Sequence, residues 1–323
     1  MRLVILGAGA IGGAIGGLLA LAHRDVLLLA RGSQLDAIRR DGLRLERPDG
    51  AVTLPIAAQD SREPVDWRAG DVLVIATKTQ DVGAALRDLA APPGVPIACA
   101  TNGVETERIA LRFARDVYAM SLLLPASFTT PGIIQVWSSP SPGVIDLGRY
   151  PDGPGDHGHA IAGELAAAGF DCEVRSYVMK WKRGKLISNL ANGAEALCGP
   201  AARQSELAAR ARAEARACYE AAGLSCTTEA EDAARRTGMQ SMPIAGATRG
   251  GGSTWQSLAR GKSLEVDYLN GEIALLGRLH GVATPINEGL QRVVAELARA
   301  GAEPGAMAIA ELERRVLAYA GNS

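Results

Sequence analysis

At 323 residues the chain is too long for one small core and suits two domains, each able to bury a substantial interior. Its 34 basic and 35 acidic residues leave a net charge of −1 with no long block of either sign, which excludes a nucleic-acid footprint. Five widely spread cysteines form no Cys-x-x-Cys pair and meet no histidine cluster, so the chain reads as a reduced, cytoplasmic protein without a metal site.

The first element is the apolar strand Leu3-Val-Ile-Leu, which runs into Gly7-Ala8-Gly9-Ala10-Ile11-Gly12 and then into an apolar helix through Ala22. Glycine at 7 permits the tight turn, glycine at 9 admits a pyrophosphate close to the backbone, and glycine at 12 lets helix and strand pack closely. The phosphates would sit on the helix N-terminus, where unpaired N–H groups and the helix dipole favour an anion. Six glycines between 7 and 17 make a poor signal core or membrane span, and no other apolar stretch reaches spanning length.

The second strand, Val26–Ala30, ends in Arg31. An NAD enzyme would place Asp or Glu there for the ribose 2′-hydroxyl, whereas Arg31 can pair with the 2′-phosphate of NADP. A solvated turn arginine is the plainer alternative. Asp25 begins the strand and Asp36 lies beyond it, so neither supplies the missing acid.

Further on, Leu43-Arg-Leu and Val52-Thr-Leu flank the turn signal Pro48-Asp-Gly50, a hairpin-like insertion. The buried strand 71–76 delivers Thr77-Lys78-Thr79-Gln80 to the carboxyl edge of the sheet, where such folds bind ligands. A helix over 81–90 and a strand over 95–99 deliver Thr101-Asn102-Gly103-Val104 to the same edge. Strands are expected at 118–124 and 171–174, a hairpin from 133–137 and 143–147, and a helix over 156–169. From Tyr177 the character changes to alanine-rich amphipathic segments at 178–198, 203–222, 228–237, 265–280 and 286–301. The fold class is therefore an α/β N-terminal Rossmann-like doubly wound sheet over 1–176 with an all-α C-terminal domain over 177–323. Between the helices, 240–263 reads as a long Gly/Ser/Thr/Pro loop, either functional or a flexible linker.

Lys185, Asn189 and Asn192 are spaced i, i+4 and i+7, so a helix over 178–198 would carry them on one face. A lysine and two amides on an otherwise apolar helix need polar partners if buried, and a substrate carboxylate and carbonyl would serve; a helix edge facing water would also explain them. Glu265 stands in a first helical turn, where acids usually serve the dipole.

Taken together, Gly7-x-Gly9-x-x-Gly12, Ala30-Arg31, Lys78, Asn102-Gly103, Trp181-x3-Lys185-x3-Asn189 and Ser253-x11-Glu265-x-Asp267 resemble the ketopantoate reductases (2-dehydropantoate 2-reductases) over nearly the whole chain. The resemblance implies NADPH-dependent reduction of a 2-oxo acid. It makes Lys185 the general acid and Asn189, Ser253 and Glu265 the substrate-binding residues, with Glu265 also serving catalysis. It matches Arg31, Lys78, Asn102 and Ala126 to cofactor positions. The chain departs from the pattern on the substrate side. A second asparagine eight residues after the lysine is replaced by Gly193, with Asn192 one place early. Two further asparagines have no counterpart near Gly250 and in 200–203.

In the implied reaction Lys185 stabilises the negative charge that develops on the carbonyl oxygen and donates a proton. Its pKa should be lowered by desolvation, with Glu265 limiting that shift. Rival readings are a reductase of another 2-oxo acid, a β-hydroxyacid dehydrogenase, which also joins a Rossmann unit to a helical domain with a Lys-x-x-x-Asn pair, and a non-catalytic NADP-sensing protein. The expected partner is a small-molecule 2-oxo acid, with neither nucleic acid nor membrane; the apolar helices could also build a homodimer interface.

Overall fold

A computed structural model describes residues 1–128 and 130–320. They pack as two compact units, Met1–Lys182 with Thr228–Arg249, and Arg183–Thr227 with the chain from Gly250 onward. No helix among the described residues is long and apolar enough to cross a membrane.

The first unit opens with β1 (Arg2–Leu6), α1 (Ala10–Leu21), β2 (Val26–Ala30), α2 (Gly32–Asp41), β3 (Leu43–Arg47), β4 (Gly50–Leu54) and β5 (Ala57–Asp60). It continues through β6 (Asp71–Ile75), α3 (Thr79–Leu89), β7 (Ile97–Cys99), α4 (Thr106–Ala110) and β8 (Val117–Leu123). Then come β9 (Ala126–Ser127), β10 (Ile133–Val136), β11 (Ser138–Pro140), β12 (Val144–Arg149), α5 (Gly158–Ala167) and β13 (Asp171–Val174). The main sheet has the order β13-β12-β8-β7-β6-β1-β2-β5, and the run from β5 to β8 is parallel. Counted in chain order, those six parallel strands follow 3-2-1-4-5-6, with the switch point between β1 and β6, where dinucleotides bind.

Period-two alternation explains why the strands are apolar throughout. Leu3 and Ile5 face one core with Ile15 and Leu19 of α1, while Val4 and Leu6 face the other with Val82 and Leu86 of α3. Close helix–sheet packing also explains the glycines of α1. A β-carbon on Gly12 would lie 1.9 Å from the Gly7 carbonyl oxygen, and one on Gly16 would lie 2.5 Å from Leu28 Cδ2.

The expected hairpin of 43–45 with 52–54 forms, as the antiparallel pair β3 and β4. The expected hairpin of 133–137 with 143–147 does not. β10 pairs with β3 and β9 in a second sheet of order β4-β3-β10-β9, whereas β12 pairs antiparallel with β8. The Ser/Pro stretch between them carries β11, so the two strands belong to different sheets.

Helix α6 (Val178–Asn189) starts in the first unit and ends in the second. The expected helix over 178–198 breaks at Leu190–Ala191, and α7 (Asn192–Cys198) starts afresh, so Asn192 does not continue the i, i+4 row of Lys185 and Asn189. After a 3-10 turn at Pro200–Gln204, α8 (Glu206–Ala221) is capped by Ser205. The chain then returns to the first unit through α9 (Glu229–Arg235), with a Thr228/Glu231 capping box, and β14 (Met239–Ser241), which pairs with β11. Lys180 Nζ donates to Glu231 at 2.5 Å, and Arg235 donates to Asp146 at 3.0 Å and Asp171 at 2.7 Å, which holds this excursion in place.

The second unit resumes with α10 (Ser253–Ala259), then α11 (Asn270–His280), α12 (Pro285–Arg299) and α13 (Ile309–Ala320). The stretch 240–263 is thus not a single loop. Inside the unit Glu214 accepts from the Ile286 and Asn287 backbone N–H groups, both at 2.9 Å, so a carboxylate caps the N-terminus of α12.

Candidate active site

Gly7 leaves β1 with φ +107°, a conformation that L side chains rarely adopt, and its N–H donates to the Leu29 carbonyl at 3.0 Å. Nothing lies within 4 Å of where a β-carbon on Gly9 would stand, so the backbone there is open to an approaching group. Gln34 braces the turn. Its Nε2 donates to the Ala8 carbonyl at 2.8 Å, and its Oε1 accepts from the Gly132 N–H at 2.7 Å. Sequence reading missed this residue, because a glutamine in an amphipathic helix carries no signal of its own.

A cleft of about 380 Å³ opens beside the turn, lined among others by Gly7, Ala8, Gly9, Arg31, Ser61 and Thr77. Arg31 precedes the first turn of α2 in extended backbone and is exposed, with Nε donating to Ser61 Oγ at 2.5 Å. Asp81 and Asp88 of α3 line the far side of the cleft, and one more acid stands at the end of the neighbouring strand. Asp60 ends β5 opposite Ala30, but Arg62 donates to it from its backbone N–H and its Nε, both at 2.9 Å. Arg62, and then Arg31, hold the Asp60 carboxyl well below the usual carboxylate range. The acid is committed to an arginine.

Thr77 Oγ1 and Thr101 Oγ1, at the carboxyl ends of β6 and β7, are buried without a hydrogen-bond partner among the described residues. Buried hydroxyls are normally satisfied, so two orphans at the ligand edge of adjacent strands point to a polar group supplied from outside. Together with the open Gly9 backbone, they fit a bound dinucleotide. Lys78 immediately precedes α3 and Asn102 follows β7; the Thr79 hydroxyl donates to the Asn102 carbonyl at 3.4 Å, joining the two loops. Neither lines the cleft, and nor do Ala10, Ile11, Gly12 or Ala126, the first residue of β9.

In the second unit Lys185 and Asn189 lie one turn apart on α6, both half-buried. Asn192 is buried at the start of α7, Ser253 is exposed at the first position of α10, and half-buried Glu265 precedes a 3-10 turn at Val266–Tyr268. Asn192 is held by Arg203, whose Nη1 donates to Asn192 Oδ1 at 2.9 Å and to Glu195 Oε2 at 2.6 Å. Arg203 was another residue without a sequence signal.

Two family profiles match the chain, one described as ketopantoate reductase PanE/ApbA over residues 3–152 and one as its C-terminal part over residues 178–298. The chain belongs to the ketopantoate reductase family. It is accordingly an oxidoreductase of the 2-dehydropantoate 2-reductase type. A 2-dehydropantoate 2-reductase of Halobacterium salinarum is 27% identical over 94% of this chain and 100% of that protein. The crystal structure of a PanE/ApbA family ketopantoate reductase from Ralstonia eutropha JMP134 is 28% identical with a TM-score of 0.77, covering 93% of this chain and 99% of that one. D-mandelate dehydrogenase, solved with NADH and anilino(oxo)acetate, shares the fold at 21% identity and a TM-score of 0.79, covering 93% and 99%.

Packing accounts for the places where this ketopantoate reductase family member departs from the expected motif. A β-carbon on Gly193 would stand 2.9 Å from Val294 Cγ2 of α12, so an asparagine there has no room unless Val294 moves. Gly250 lies against the Trp255 ring, 2.3 Å from the nearest ring carbon if a β-carbon is added. The 200–203 region, expected to lack a counterpart to the family asparagine, supplies Arg203 instead.

Proposed function

We propose that this family member reduces a 2-oxo acid to a 2-hydroxy acid with NADPH, ketopantoate being the first substrate to test. The reading rests on one observation above the others: the switch-point cleft gathers the Gly7–Gly9 turn, the Thr77 hydroxyl and Arg31, while the acid that ends β5 beside Ala30, Asp60, is tied to Arg62. A guanidinium is matched to a phosphate, and an acid already engaged by arginine is a poor ligand for a ribose hydroxyl.

The residues divide the work as follows. The Gly7–Gly12 turn and the first turn of α1 hold the pyrophosphate. Arg31, with Ser61 fixing its Nε, holds the 2′-phosphate. Lys78, Asn102 and Ala126 complete the cofactor site. NADPH bound there supplies a hydride to the carbonyl carbon. Lys185 holds the carbonyl oxygen through its ammonium, stabilises the charge as it develops, and passes a proton to it. Asn189, Asn192, Ser253 and Glu265 hold the substrate's polar groups and fix its angle to the cofactor.

Following NADPH and NADH oxidation against a panel of branched and hydroxylated 2-oxo acids tests this reading. Turnover of ketopantoate or a close relative with preference for NADPH is expected. Equal use of NADH, or turnover only with 3-hydroxy acids in the oxidative direction, would contradict it.

A further inference from the structure

The chain breaks between α6 and α7 at Leu190–Ala191, and two carbonyls at the end of α6 are each taken by a long-range donor. Asn270 Nδ2 donates to the Leu190 carbonyl at 3.1 Å, and Arg203 Nη2 donates to the Ser188 carbonyl at 3.0 Å. The other arm of Arg203 reaches across the break to Asn192 Oδ1 at 2.9 Å and Glu195 Oε2 at 2.6 Å. One planar guanidinium thus clamps the last turn of α6 to the first turn of α7.

The clamp decides which way the Asn192 amide faces. With its oxygen engaged by Arg203, Asn192 offers its nitrogen, a donor of two hydrogen bonds. Asn192 is only 6% exposed, and its Nδ2 donates to nothing among the described residues. That nitrogen is not shut away from solvent, so an acceptor on an incoming ligand can reach it. The cluster also adjoins the N-terminus of α10, because Glu195 would stand 3.4 Å from a β-carbon on Gly252, the neighbour of Ser253. Arg203 neutralises that carboxylate, which would otherwise repel an anionic substrate.

We propose that Arg203 is a positioning residue that fixes Asn192 as a hydrogen-bond donor to the 2-oxo acid, a role that rests on the reductase reading above. It makes the donor set of this chain one in which an arginine-aimed amide stands where the family motif carries further asparagines. Specificity then favours substrates presenting an acceptor oxygen to Asn192.

Two variants separate positioning from plain structural support. Asn192→Asp keeps the oxygen that Arg203 grips and adds an ion pair, yet exchanges the donor for an acceptor. Arg203→Lys keeps the charge but loses the fork that spans three acceptors. Loss of one charge-assisted bond predicts that both raise KM for the 2-oxo acid by about tenfold or more, with the NADPH Kd unchanged. Asn192→Asp should do so without any fall in Tm. If KM stays within about twofold in both variants while only the Tm of Arg203→Lys falls, Arg203 is a structural clamp and the proposal is overturned, with the reductase reading intact. If none of the 2-oxo acids supports NADPH oxidation by the parent enzyme, the reductase reading fails and takes this proposal with it.

Discussion

The ammonium of Lys182 and the carboxylate of Glu107 form an ion pair from which solvent is all but excluded, their side chains being 2% and 0% exposed. Lys182 stands one turn before Lys185 on α6, and Glu107 belongs to α4, whose first residue, Thr106, donates to the Thr79 hydroxyl at 3.3 Å. The pair therefore roots the start of α6 in the layer that also carries the Lys78 and Asn102 loops. Removing one partner strands a buried charge. Lys182→Met is expected to cost about 3–5 kcal/mol of stability, and adding Glu107→Leu to restore most of it, since an apolar pair avoids the desolvation of both ions. Urea unfolding of the three proteins measures this, and a double variant no more stable than the single would refute it.

The glycine turn separates folding from binding. Gly12→Ala drives a β-carbon into the Gly7 carbonyl oxygen and should cost more than about 3 kcal/mol, with cofactor binding lost alongside. Gly9→Ala meets nothing within 4 Å and should fold with its Tm almost unchanged. Its added methyl occupies the open backbone face, so the NADPH Kd should rise by about tenfold or more. Thermal melts paired with fluorescence titration check both, and a Gly9→Ala protein that binds NADPH like its parent would remove the pyrophosphate from this turn.

Arg31 is exposed, donates to Ser61 and adds only a charge interaction with Asp60, which Arg62 already holds, so removing it should leave the fold alone. A charge-assisted bond to the 2′-phosphate is worth roughly 1.5–3 kcal/mol, which predicts about a ten- to hundredfold loss of NADPH affinity in Arg31→Ala and little change for NADH. Equal weakening of both cofactors would place Arg31 elsewhere on the nucleotide.

Acid stability should report the α6–α9 contact. Lys180, assisted by the Thr228 backbone N–H, pulls the Glu231 carboxyl down from its ordinary 4.5 to about 2. Because the folded value lies below the unfolded one, this pair stabilises the fold fully above about pH 4.5, and the contribution is lost as pH falls through about 2. Glu231→Gln should flatten the stability curve across that window. An unchanged acid limb would show that the contact carries no stability.

Strong local patterns make the centre of the first unit legible in the sequence. The apolar runs at 3–6, 26–30 and 71–75 are buried on both faces and can only be central strands, and the glycines at 7, 9 and 12 gave the turn and its chemistry. What escaped was set by distant partners. Nothing local says that Ile133–Val136 joins β3 rather than Val144–Arg149, or that Leu190–Ala191 interrupts a helix whose periodicity continues, because that break is stabilised by Asn270 and Arg203 from elsewhere in the chain. The first-unit excursion of Thr228–Arg249 is likewise held by Lys180, Asp146 and Asp171, residues far removed in sequence.

The central claim is that the Lys185 ammonium serves the reacting carbonyl. Single-turnover rates of NADPH oxidation by a 2-oxo acid, compared between the parent and Lys185→Ala with both ligands saturating, test it most directly. Loss of general-acid and charge stabilisation predicts a fall in the chemical step of about a hundredfold or more, with the NADPH Kd unchanged. A variant that keeps the parental rate and loses only cofactor affinity would contradict it.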